Sequence, residues 1–73
     1  MAKLPVVSGK DAARAFEKIG FVHRSTVGSH MIYKRPGVGT LSIPNHKELD
    51  LGLLKRLISD AGVTSEKFIE LLG

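Results

Sequence analysis

No cysteine occurs among the 73 residues, so the chain can carry neither a disulfide staple nor a thiolate metal site, a composition that suits a reducing compartment. Long apolar runs are missing as well. The longest, such as residues 4–7, fall far below the ~18 residues that suggest a membrane span. No signal-peptide pattern opens the sequence, so a cytoplasmic location without a membrane partner is expected. Repeats, low-complexity tracts and linkers are absent, and the length leaves room for a single domain over residues 1–73. A chain this short hides only about 60% of its unfolded surface. Any substrate is therefore expected on the surface or in a shallow groove.

One sign of charge is missing over a long stretch. Between Glu17 and Glu48 no acid occurs, yet Lys18, Arg24, Lys34, Arg35 and Lys47 lie there with all three histidines, His23, His30 and His46. Residues 1–47 carry eight basic and two acidic side chains, a net +6, and residues 48–73 carry three and five, a net −2, which makes the overall +4. An acid-free basic segment is either a solvated surface or a phosphate-binding face.

What is present reads as short elements in order. Ser8 caps a first helix, with Asp11 three residues on and Val7 placed to staple against Ala12. Ala12, Phe16 and Ile19 form its core stripe, and Gly20 ends it. From Phe21 the period becomes two, and three extended runs follow at residues 21–25, 29–34 and 40–43. Val27-Gly28 separates the first pair, the segment 35–39 with Pro36 separates the second, and Pro44 closes the third. An antiparallel meander is expected. In its middle strand Ile32 shares a face with His30 and Lys34, while Met31 and Tyr33 share the other; Ile32 is taken as the inward residue. Asp50 then caps a second helix with the stripe Leu54, Leu57, Ile58 and Ala61, leaving Lys55 and Arg56 off it. Thr64 caps a short third helix, with Val63 as its staple residue. The order is α-β-β-β-α with a helical tail, an α+β fold with helices on one face of a three-stranded antiparallel sheet and the other face free for a polymer.

Chemistry is sparse. His30 follows Gly28-Ser29 at the mouth of the middle strand, where it is either a polar residue entering a strand or a proton-transfer group. Histidine suits the second task, because its reference pKa of ~6.5 keeps a neutral fraction at physiological pH. His46 either protonates a leaving oxygen or binds phosphate, or else orders the loop at residues 44–49. Arg24, Lys34, Arg35 and Lys47 are candidate phosphate contacts by their clustering, and Ser29, beside His30, is a further candidate contact for the same polymer. Tyr33 either stacks a base or belongs to the packing. No metal is expected, since the three histidines lack zinc-signature spacing and have no Asp or Glu among them. No other cofactor is expected either. The segment 57–68 also mimics a helix-turn-helix, but its second helix is net negative.

Taken together, Gly20-Phe21, Gly28-Ser29-His30 with Ile32 and Tyr33, Gly39-Thr40-Leu41 with Ile43-Pro44, His46, Leu49, Leu54, Ile58, Ala61-Gly62 and Phe68 resemble the HicA (YcfA-like) family of small toxin ribonucleases over nearly the whole chain. The resemblance implies a double-stranded-RNA-binding-like fold, cleavage of messenger RNA as an mRNA interferase, a HicB-type antitoxin partner, and His30 as the catalytic residue. Met31 stands where many relatives have a second histidine or an arginine. The alternative is a non-catalytic double-stranded-RNA-binding module, which shares the element order.

Overall fold

The computed structural model describes residues 3–73. Its first element is helix α1, Gly9–Glu17, where Ser8 Oγ accepts from the Asp11 N–H at 3.0 Å and satisfies one of the donors a helix start leaves free. Strands β1 (Val22–Val27), β2 (His30–Arg35) and β3 (Gly39–Pro44) follow and pair antiparallel in the order β1-β2-β3. Helix α2, Leu51–Asp60, starts at Asp50, whose Oδ2 accepts from the N–H groups of Gly52 and Leu53. Helix α3, Ser65–Leu72, starts at Thr64, whose Oγ1 accepts from the Lys67 N–H. All three caps stand where the sequence puts them. The first strand runs two residues past its expected end, and α1 stops at Glu17, which leaves Ile19 only partly buried.

Two turns set the register. Val27 pairs with His30, so Gly28 and Ser29 alone make the first hairpin turn. Gly28 has φ +61°, while no residue other than glycine has positive φ among the described residues; glycine at the first of two turn positions is the type II′ signature. The second turn pairs Arg35 with Gly39, and the ladder then runs Tyr33 to Leu41, Met31 to Ile43 and His30 to Pro44.

This register overturns the expected facing of β2. Leu41 and Ile43 are the core residues of β3, at 1% and 0% exposure, so their partners Tyr33 and Met31 turn the same way. Tyr33 is buried and Met31 partly so, whereas Ile32 lies on the other face beside Ser42. Placing Ile32 inward would have required a slip that also sent Leu41 and Ile43 to solvent. Met31 packs against the core on the same grounds, so a hydrophobe suits its position.

The core joins α1, the sheet and α3 at Phe16. Its ring meets Phe21 edge-on with centroids 6.0 Å apart, and Phe68 at 5.2 Å. Phe68 is fully buried, so α3 is a packing helix. Helix α1 packs on β3 and α3, and α2 packs on β3. One face of the sheet is thereby covered, and the other is left free.

Candidate functional site

Alternation along paired strands assigns the free face. From β1 it carries Val22, Ser25 and Val27; from β2, His30, Ile32 and Lys34; from β3, Thr40 and Ser42. All of these except Ile32 are exposed. His30 begins β2, so its imidazole stands at one end of this face. Its Nδ1 lies 3.3 Å from Ser42 Oγ across the strand pair, within hydrogen-bond reach.

The other end of the face is cationic. Arg24 is the unpaired residue of a bulge, since His23 pairs with Tyr33 and Ser25 with Ile32. Arg24 and Lys34 line a shallow groove of about 250 Å³ floored by Val22 and Pro36. Lys34 is four residues beyond His30 on the same strand face, which places the two about 13 Å apart along β2.

The remaining expected contacts do not join this surface as a group. Arg35 alternates to the helix side, and a Cβ at Gly20 would meet its Nε at 3.2 Å. Ser29 sits in the turn, where its carbonyl accepts from the Asn45 N–H at 2.7 Å. That bond brings the loop carrying His46 and Lys47 to the His30 end of the sheet. Both side chains are exposed there. The His46 carbonyl accepts from the Gly9 N–H at 2.9 Å, so the backbone of this loop is tied to the start of α1. Gly9 is required by that contact: a Cβ there would come to 2.0 Å from the Pro44 carbonyl oxygen.

Tyr33 is on the covered face and cannot stack a base on the free one. Its hydroxyl donates to Glu17 at 3.1 Å, and its ring lies 5.3 Å from that of His23. Burial, then the hydrogen bond and the charge of Glu17, push the phenol pKa above its usual value. The hydroxyl is therefore held as a donor to the carboxylate. His23 reaches Thr26 Oγ1 at 2.8 Å, because the bulge returns residues 23 and 26 to one side.

Three residues of this region carry little signal in the sequence. Ser42 is detectable only once Arg35 and Gly39 are paired, since the pairing then carries residue 42 beside residue 30. Arg56 lies on the side of α2 that, with Leu53, Leu57 and Asp60, faces Thr40 and Ser42 across a groove of about 300 Å³. Their spacing at i, i+3, i+4 and i+7 is the available signal. Gly9 has none, because its role depends on the carbonyl of a residue distant in sequence.

The class defined here is a short α+β domain with helices on one face of an antiparallel sheet and, on the open face, a histidine at one end and cations at the other. The particular family follows from comparison with known proteins: the chain belongs to the family described as the HicA toxin of bacterial toxin-antitoxin, whose pattern matches residues 9–63. It is thus a toxin of a toxin–antitoxin system and has an antitoxin partner. No curated protein matches the chain. No helix among the described residues is long and apolar enough to cross a membrane, and no three His, Asp or Glu side chains among them are grouped to hold a metal ion.

Proposed function

We propose that this toxin is an endoribonuclease that cleaves messenger RNA with His30 as general base, and that a HicB-type antitoxin silences it. The observation that carries the reading is the exposed His30 imidazole on the free sheet face, with Nδ1 3.3 Å from Ser42 Oγ and no hydrogen-bond partner at Nε2 among the described residues. Nε2 takes the proton of a ribose 2′-hydroxyl. The 2′-oxygen then attacks the adjacent phosphorus, the bond from phosphorus to the 5′-oxygen breaks, and that oxygen leaves with a proton from His46 or water. A 2′,3′-cyclic phosphate remains on the upstream fragment and a 5′-hydroxyl begins the downstream one. A positioned base of this kind contributes about 10²- to 10⁴-fold.

Arg24 and Lys34 hold the RNA at the far end of the same face, with Ser29 and Lys47 flanking the histidine end and Arg35 bordering the helix side. Replacing Arg24 and Lys34 together by serine is expected to weaken RNA binding and to lower the slope of log affinity against log salt by up to about 1.4, at ~0.7 for each single-strand phosphate that the variant no longer neutralises. An unchanged slope in a fluorescence titration across salt concentrations would place the RNA on another surface.

End-group analysis of the products tests the chemistry. Cyclic phosphate and 5′-hydroxyl ends are expected, at a rate that excess chelator leaves unaltered. An RNA carrying 2′-deoxyribose at the scissile position is expected to bind and resist cleavage, since its nucleophile is gone while its phosphates remain. Products with 5′-phosphate ends would replace this route with attack by an activated water.

A further inference from the structure

We infer that Ser42 is the positioning residue of the site, holding His30 in the tautomer with the proton on Nδ1. The inference rests on His30 being the base, and it adds how that base is kept in a working state. A neutral imidazole has one nitrogen that donates and one that accepts, and the hydrogen bond at one nitrogen decides which is which. At His30 the atom within reach is Ser42 Oγ, 3.3 Å from Nδ1, on the neighbouring strand. Nε2 has no hydrogen-bond partner among the described residues, and the residue is exposed.

Ser42 has the lone pairs to accept from Nδ1–H, because its own hydroxyl proton has another direction available. Its side chain also lines the groove bordered by Arg56 and Asp60. Ser42 is exposed, so its hydroxyl proton can go to solvent water while an Oγ lone pair accepts from Nδ1–H. With Nδ1–H donated to Ser42, the lone pair of Nε2 is free to take the 2′-hydroxyl proton. In the opposite tautomer Nε2 would present a hydrogen to the substrate and could not act as a base. The sheet register enforces the arrangement, since pairing His30 with Pro44 and Ile32 with Ser42 sets residue 42 diagonally beside residue 30 on one face.

Nitrogen NMR of the histidine rings, at a pH where imidazole is neutral, reads the tautomer without any substrate. In the wild-type toxin His30 is expected to carry its proton on Nδ1, and in Ser42→Ala the population should move toward Nε2–H. The same substitution is expected to lower kcat by about two- to tenfold, the worth of one neutral hydrogen bond, with KM unchanged. Ser42→Thr, which keeps the hydroxyl and a good strand propensity, should restore both readouts. Thermal melts of the two variants would show that Ser42, exposed on β3, is not needed for folding. A wild-type His30 found mainly as Nε2–H overturns the inference, and so does a tautomer shift in Ser42→Ala with kcat unaltered. Failure of the underlying base assignment looks different: His30→Ala would stay active although the wild-type ring still reported Nδ1–H.

Discussion

His30→Ala is expected to slow RNA cleavage by about 10²- to 10⁴-fold, equivalent to about 2.7–5.4 kcal/mol on the barrier, and to relieve growth arrest in cells. The protein should remain folded. His30 is exposed at the first position of β2 and its only side-chain hydrogen bond among the described residues is the exposed one to Ser42. Exposed substitutions of this type usually change stability by less than about 0.5 kcal/mol. RNA affinity should also be near wild type, because the cations at Arg24 and Lys34 are untouched. Rate, melting temperature and RNA affinity measured on one preparation separate the alternatives. A folded variant with full cleavage and full toxicity would remove His30 from the mechanism. Wild-type protein that binds RNA without cleaving it would support the non-catalytic RNA-binding module instead.

Phe16→Ala carries the largest expected effect on stability. Phe16 is fully buried, and its ring is the junction of two aromatic contacts, with Phe21 at the entrance to the sheet and Phe68 in α3. Truncation removes the transfer free energy of the ring and leaves a cavity that two helices and a strand can only partly fill, a loss of about 3–5 kcal/mol. A chain of this length has a total stability of about 4–11 kcal/mol at roughly 0.05–0.15 kcal/mol per residue. The variant is thus expected to keep at most a fraction of its stability and to expose the surfaces where α1 meets α3. Urea denaturation followed by circular dichroism measures this directly. A destabilisation below about 1 kcal/mol would mean that the three rings do not form one cooperative core.

These two residues differ in how much of their role is local. Phe16 lies in a 3.6-period stripe with Ala12, and a stripe of that kind has to be buried whatever it packs against. His30 is recognisable as a candidate from its Gly-Ser-His setting and the acid-free segment around it. Neither feature contains its hydrogen-bond partner. Ser42 is twelve residues away, and the pairing that brings it close depends on the turn between β2 and β3.

Local chemistry alone determined the three helix caps at Ser8, Asp50 and Thr64, the glycine turn at Gly28, the element order and the basic segment, because each depends on residues a few positions apart. Tertiary structure decided the rest. Whether Ile32 or Tyr33 entered the core could not be settled within β2, whose two faces are both partly apolar; the burial of Leu41 and Ile43 across the ladder settled it, since one register applies to all paired residues at once. The same register separated Arg35 from Lys34, brought Ser42 to His30, and sent Tyr33 to Glu17. Gly9 is the clearest case: nothing near it in sequence excludes a side chain, and the carbonyl of Pro44, on the far side of the sheet hairpins, does.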